Sequence, residues 1–565
     1  MSKTSRTLIT ALLLLVAATA TGRATRVGIN PGGWIDVDGS PMLILGGELG
    51  NSAGSCRADI EANLILLAEN GLNTVLLPVT WELLEPEEGK FDYSQINSVI
   101  DTAKATGLKV VVLWFGAWKN SMSCYAPEWV KRDQNRFPRA RTENGRPLEI
   151  LSAFSGNVLD ADLKAFKQLL NHIKEYDKDS TVVMIQVENE IGMLENASDH
   201  SLQAQQAFNQ GVPAELTAFL AANKDTLHPL LLEKWSRHGY KEKGSWTEVF
   251  GDDLFSDEYF TAWNYGRYVE NLAREGKKIL PVVYYLNAAL NSRDRKPGEY
   301  PSGGPLAHLK DIWHAAAPSI DFLSPDIYDT GFEGWTASYA LPDNVLFIPE
   351  VRRDPANGPQ ALYVVGHHNA LGLSPFAIEN GDTDYFNNLR GAYSILKELT
   401  PVIARKQLLK EGVLLSAEKP EQTLSDGEAR ITLSHFFTLP WDPRAADKAN
   451  WKETGAILFK LADEEYLLAG TGIVARFENE SEAGTAANLG EDGFAAQGNG
   501  DTTGARSGSA TARIGLAKVE EVAVNPDGTL STIRTLNGDE THQGRHVRIG
   551  VDDYKILHIK TYKYE

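Results

Sequence analysis

Cysteine is almost absent: two residues, Cys56 and Cys124, in a chain of 565. A framework of disulfides is therefore excluded, and even a single bridge depends on Cα geometry that spacing does not reveal. Nor is there a cluster of histidines with ligand spacing. His367 and His368 are adjacent, which is wrong for two ligands on one helix face, so they read as solvated or loop residues. No metal and no cofactor is expected. An excess of positive charge is missing too, with 55 Lys and Arg against 75 Asp and Glu and a formal net charge of -20. That excludes a nucleic-acid binder, since a phosphate backbone calls for a basic face. No segment reaches the ~20 apolar residues that a membrane span requires. Finally, no Gly-x-Gly-x-x-Gly follows the first strand, which argues against a doubly wound dinucleotide-binding sheet.

What remains is ordinary globular material, 42% hydrophobic and 23% charged. The length exceeds the ~250–300 residues at which single cores stop growing, so more than one folding unit is expected. Lys3 and Arg6, the apolar run from Leu8 to Ala18 and the cleavage pattern Ala18-Thr19-Ala20 read as a signal peptide over residues 1–20. The protein is expected to be exported, to the periplasm or outside the cell. A hairpin follows at Trp34–Ser40, turning at Asp38-Gly39.

From residue 26 to 400 short β-rich runs alternate with amphipathic stretches. The eight runs are Met42–Gly47, Thr74–Pro78, Lys109–Trp114, Val182–Val187, Ile279–Tyr285, Asp321–Ser324, Val345–Ile348 and Ser374–Ile378. Several are continuously apolar, as strands buried on both faces are. Helices are predicted at Arg57–Asn70, Tyr93–Thr106 and Asp160–Tyr176, the first two ending at Gly71 and Gly107. The pattern predicts an α/β fold, a (β/α)8 TIM barrel, with extra helices and a loop over its mouth between Gly192 and Arg274. Residues 401–565 change texture, with short strands at Ala456–Leu461, Glu465–Leu468, Ile473–Phe477 and Val547–Val551. They predict a C-terminal all-β, sandwich-like domain containing a flexible Gly, Ala, Ser and Thr-rich loop at 482–510.

Reactive residues of such barrels lie at the C-terminal ends of strands. The carboxylates there are Glu48, Glu82, Glu188, Glu190, Asp326, Glu350 and Glu379. Glu190, closing the fourth run, and Glu350, closing the seventh, stand out because those strands lie across one mouth. Glycoside hydrolysis needs such a pair, one carboxylic acid to protonate the leaving oxygen and a second carboxylate opposite it. The tripeptide alone is weak: Glu478-Asn479-Glu480 repeats Glu188-Asn189-Glu190 in the β-rich tail without barrel context. Among supporting residues, Glu48 is placed to bind sugar hydroxyls or balance a cation. Tyr328 is placed to hydrogen-bond Glu350 or to fill core. Trp81, Trp114, Trp118 and Trp335 fall at or after strand ends, where rings can stack on sugar C–H faces or pack as core.

Two motifs carry a resemblance. The segment from Leu77-Pro78-Val79-Thr80-Trp81-Glu82 to Gly89-Lys90-Phe91-Asp92-Tyr93, together with Gln186-Val187-Glu188-Asn189-Glu190-Ile191-Gly192 and Pro349-Glu350, resembles β-galactosidases of glycoside hydrolase family 35. The likeness covers roughly residues 30–400. It implies a retaining exo-β-galactosidase, with Glu190 as acid/base, Glu350 as nucleophile and Asn189 on the sugar 2-hydroxyl. Ile191 stands where that family often has an aromatic residue, and the first-strand motif differs, which places the chain in a divergent bacterial branch. That branch points to plant oligosaccharides such as xyloglucan as substrate. A related hydrolase for arabinosides or glucosides, and a sugar-binding barrel without activity, are the alternatives.

Overall fold

Strands that are apolar on both sides need cover on both sides, and the eight runs find it by closing into a parallel barrel. A computed structural model describes residues 27–480 and 513–564, apart from positions 31, 293, 405–408, 440, 543 and 545. The expected signal peptide and the expected loop at 482–510 lie outside the described residues. The barrel strands are β1 (Ile44–Glu48), β2 (Thr74–Thr80), β3 (Lys109–Lys119), β4 (Val182–Asn189), β5 (Val283–Ala289), β6 (Phe322–Ile327), β7 (Ile348–Val351) and β8 (Gly372–Pro375). Each pairs with its sequence neighbours, and β8 closes on β1. Between strands run the helices α1 (Arg57–Glu69), α2 (Ser94–Thr106), α3 (Gly156–Tyr176), α4 (Leu254–Ile279), α5 (Lys310–Ala316), α6 (Phe332–Tyr339) and α7 (Asn357–His368). After β8 comes α8 (Thr383–Ile403). Four shorter α-helices between Leu202 and Phe250 fill the long insertion after β4.

Strand alternation sorts side chains into two cores. Along β2 and β3, Val75, Leu77, Val79, Val110, Val112 and Trp114 pack with the helices. Leu76, Val111, Leu113 and Phe115 fill the barrel interior with Tyr285, Phe322 and Phe347. A three-stranded sheet of Val27–Ile29, Ile35–Val37 and Ser40–Met42 adds Val27 and Ile35 to that interior cluster. Its hairpin turns at Asp38 and Gly39, both with positive φ, as the sequence predicts.

Several strand boundaries differ from expectation: β7 shares only Ile348 with the run expected at Val345–Ile348, and β8 ends at Pro375 because Ile378 opens a 3-10 turn. β5 begins at Val283, not Ile279, because Ile279 is the last residue of a 26-residue helix that continues through the apolar stretch. β3 runs five residues beyond Trp114, to Lys119. His367 and His368 are not loop residues. They end α7, where His367 pairs with Glu411 and His368 meets Thr336 Oγ1 at 3.2 Å. Cys56 and Cys124 are both exposed free thiols. Among the described residues no helix is long and apolar enough to cross a membrane.

After α8 the chain forms a six-stranded and a four-stranded antiparallel sheet. Val413, Leu415 and Leu468 of the larger sheet share a core with Ile431, Leu433 and Ala475 of the smaller. Glu478 and Asn479 lie in the smaller sheet, away from any barrel strand. The larger sheet also seats on the barrel: Ile457, Phe459 and Leu467 join the core of the helix layer, and Lys410 Nζ donates to the carbonyls of Val365 and Gly366 on α7 at 2.7 and 3.0 Å.

Sheet and helix meet backbone to backbone at Gly366 and Gly412. A Cβ on Gly412 would lie 2.5 Å from the Tyr363 carbonyl oxygen and 2.6 Å from the His367 nitrogen. Gly412→Ala is therefore expected to destabilise the protein by about 1–3 kcal/mol through overpacking. Denaturant unfolding checks this, and a wild-type midpoint would contradict the packing described.

Candidate active site

Four of the seven strand-end carboxylates converge at the C-terminal mouth of the barrel. Glu190 follows β4, Glu350 ends the apolar part of β7, Asp326 lies on β6 beside it in register, and Glu48 ends β1. All four are buried. One oxygen each from Glu190, Asp326 and Glu350 lie within 4.8 Å of one another. Oxygens this close suit the ~5–5.5 Å of a retaining carboxyl pair.

Each group is held by a specific partner. The Tyr328 hydroxyl donates to Glu350 Oε1, and the Asn120 amide donates to Glu190 Oε2. Asn287 bridges the floor, its Oδ1 accepting the Glu190 backbone N–H at 3.0 Å and its Nδ2 donating to Asp326 Oδ2 at 2.6 Å. Lys119 Nζ donates to Asn189 Oδ1 at 2.9 Å. Both oxygens of Glu48, Asp326 Oδ1 and Glu350 Oε2 are buried and receive no N–H or O–H of the protein's uncharged groups or cations, and the buried Asn189 Nδ2 finds no acceptor. The carboxyls meet one another, Glu48 against Glu350 and Asp326 against Glu190. Buried polar atoms in that state call for a ligand rich in hydroxyl groups.

The charges cannot all stand. Two like charges ~4 Å apart repel by about 4 kcal/mol even at the effective dielectric of a partly solvated site. Burial, followed by the neighbouring Glu350, holds Glu48 well above the ordinary carboxylate range. Burial, then Glu350 and Glu190, does the same to Asp326. Glu350 is pushed up by burial and by Glu190, and drawn back by Lys119 and by the Tyr328 hydrogen bond, to about 7. Lys119 completes the balance. Burial alone favours its neutral form, but Glu350, Glu190, Glu48 and Asp326 together outweigh that and keep the ammonium charged. Glu190, Asp326 and Glu350 are close enough to ligate a cation, yet the Lys119 ammonium already supplies positive charge to them.

The remaining predicted residues go elsewhere. Trp81 and Trp114 are fully buried in the helix layer, Trp114 because it continues the outward alternation of β3 and Trp81 because it opens a short helix, Trp81–Leu84, just after β2. Trp81 Nε1 donates to Glu85, and Trp114 Nε1 to Asp162. Trp118 is also buried, its ring against Tyr265 and Tyr268 of α4. These three are packing residues, not a sugar platform. Trp335 lies on α6, half-buried, with Nε1 on the Thr330 carbonyl. Glu82 turns to Lys131, and Glu379 accepts the Gly50 N–H. Sequence reasoning does not reach Lys119, which ends the unexpected extension of β3, Asn120, which follows it, or Asn287, which lies beyond the expected end of β5. The signal at all three is a polar residue following an apolar run.

Fold and site together define the class: a (β/α)8 barrel with a buried carboxylate pair on opposite strands of its mouth. Residues 55–264 match the glycoside hydrolase 42 family model, described as β-galactosidase, a stretch that includes Glu190 but not Glu350. The family number differs from the 35 that the motifs suggest. Residues 389–548 match a domain of unknown function, DUF5597. The chain is 32% identical over 197 residues to a β-galactosidase of Xanthomonas manihotis, covering 34% of this chain and 30% of that protein. It is 25% identical over 201 residues to β-galactosidase-1-like protein 3 of Rattus norvegicus, covering 34% of this chain and 29% of that protein. The matches thus span less than a third of the length of these relatives. Among solved structures, a family 42 β-galactosidase from G. stearothermophilus aligns at TM-score 0.45 and 17% identity, over 64% of this chain and 57% of that one.

The Tyr328 hydrogen bond favours the ionised form of Glu350. In Tyr328→Phe the midpoint of Glu350 is therefore expected to move above its value of about 7. A carbon-13 NMR titration of glutamate-labelled protein reads it, and an unchanged or lowered midpoint would contradict the role given to the phenol.

Proposed function

We propose that the protein is a retaining exo-β-galactosidase. The observation that carries this reading is the convergence of Glu190 and Glu350, from β4 and β7, on one buried space with their oxygens within 4.8 Å. Glu350 is the nucleophile: Tyr328 and Lys119 both favour its carboxylate form. Glu190 is the acid/base, protonating the leaving oxygen as Glu350 attacks the anomeric carbon, then taking a proton from the water that releases the sugar. Asn189, with its free Nδ2, donates to the sugar 2-hydroxyl. Glu48 and Asp326, pushed toward the neutral form chiefly by burial, are able to donate as well as accept when protonated, which suits hydroxyls of the same ring.

Galactose as the sugar is supported by the β-galactosidase relatives matched over residues 55–264 and by the motifs around Glu82 and Glu190. The preferred natural substrate is a plant oligosaccharide such as a xyloglucan fragment, met after export from the cell.

Glu350→Gln and Glu190→Gln are each expected to lower turnover of phenyl β-galactoside by about 10²–10⁴-fold or more. In Glu350→Gly, added azide should restore turnover and yield the galactosyl azide of inverted configuration. Near-wild-type rates in either glutamine variant would refute the pair. Saturable sugar binding without release of aglycone by the wild-type protein would favour a silent binding barrel instead.

A further inference from the structure

A second carboxyl pair lies behind the first, on the helix side of the barrel wall. Pairing between β3 and β4 is interrupted: Trp114 stands opposite Val187 and Lys119 opposite Asn189, so residues 115–118 face Glu188 alone. A bulge of this kind strips ladder partners from the longer strand, and buried N–H groups without an acceptor are costly. Glu188 supplies the acceptor. Its Oε2 takes the Trp118 N–H at 2.7 Å, and its carboxyl also interacts with the Ala117 N–H. A left-handed φ of 59° at Glu188 accompanies the departure from strand alternation that aims this side chain at α3. Only glycine fits at 116, where a Cβ would lie 2.7 Å from Asp162 Oδ1 and 2.8 Å from Glu188 Oε1.

Asp162, on α3, is fully buried and already uses both oxygens as acceptors. Trp114 Nε1 donates to Oδ1 at 2.9 Å and the Tyr268 hydroxyl to Oδ2 at 2.7 Å. Glu188 Oε1 meets this carboxyl and receives no N–H or O–H from the protein. Two ionised carboxylates cannot share such a contact without water, so one holds a proton. Asp162 is committed to accepting, and the proton falls to Glu188. Burial and the Asp162 charge both act in that direction.

We propose that protonated Glu188 and ionised Asp162 form a positioning pair that locks the bulge and so fixes Glu190 for proton transfer, an inference that rests on Glu190 as the acid/base. Three successive rungs join the two strand ends: Trp118 N–H to Glu188, Lys119 to Asn189, and Asn120 to Glu190. Releasing the first lets the other two drift, and a displacement of ~1 Å at a catalytic group costs up to 10²-fold in rate.

The test compares kcat/KM on two galactosides: phenyl, whose departure needs a proton, and dinitrophenyl, whose departure does not. Glu188→Gln keeps a donor toward Asp162 and an acceptor for Trp118, and is expected to stay near wild type on both. Asp162→Asn loses an acceptor, and is expected to lose about 10²-fold on phenyl but only a few-fold on dinitrophenyl galactoside. Tyr268→Phe, a milder variant that serves if Asp162→Asn does not fold, should shift the ratio of the two substrates several-fold in the same direction. Equal losses on both substrates, an unmoved ratio, or Glu188→Gln as damaging as Asp162→Asn would overturn the proposal. Glu190→Gln is run alongside. If it spares phenyl galactoside, the acid/base reading itself fails, independently of the pair.

Discussion

Carboxylates buried together cannot all be ionised, and the barrel mouth is organised around that constraint. Four acids surround one lysine, so charge must be removed by protonation or offset by Lys119 and by hydrogen bonds. The surroundings divide the acids: Glu48 and Asp326 are driven toward neutrality, while Glu350 is kept near the boundary by Tyr328 and Lys119. Separation of titration behaviour among neighbouring acids lets some donate hydrogen bonds while another stays available as a carboxylate. The same constraint recurs at Asp162 and Glu188, where the shared proton serves geometry in place of chemistry.

Much of this was legible because strand ends are legible. The apolar runs Val75-Leu76-Leu77 and Val182 to Val187 mark strands buried on both faces, and the acid that closes such a run in a barrel points toward the mouth. That reasoning found Glu48, Glu190, Asp326 and Glu350. It failed where local geometry departs from alternation. Trp114 continues the parity of Val110, so counting by twos places it outside the barrel, and Trp81 lies on the short helix that follows β2. Lys119 and Asn120 were hidden because a bulge is invisible to a pattern of period two. Asn287 was hidden because a long helix consumed the residues taken for the start of its strand. Glu188 was legible as an acid at a strand end and misleading as to direction, since its left-handed backbone turns it toward α3.

The larger C-terminal sheet shares a core with the helix layer and meets α7 where Gly412 lies against Gly366. It therefore stabilises the side of the barrel that carries β7 and Glu350. The family match on the barrel ends before Glu350 and the second match begins within α8, so the strand that carries Glu350 lies between the two matched stretches. Geometry carries the argument there.

The most direct measurement is to trap the covalent intermediate. A galactoside fluorinated beside the anomeric carbon and bearing a dinitrophenyl leaving group slows release of the glycosyl-enzyme. Peptide mapping by mass spectrometry should then find one galactosyl adduct per chain, on Glu350. An adduct on Asp326 or Glu48, or none in a protein that turns over the unfluorinated substrate, would contradict the account.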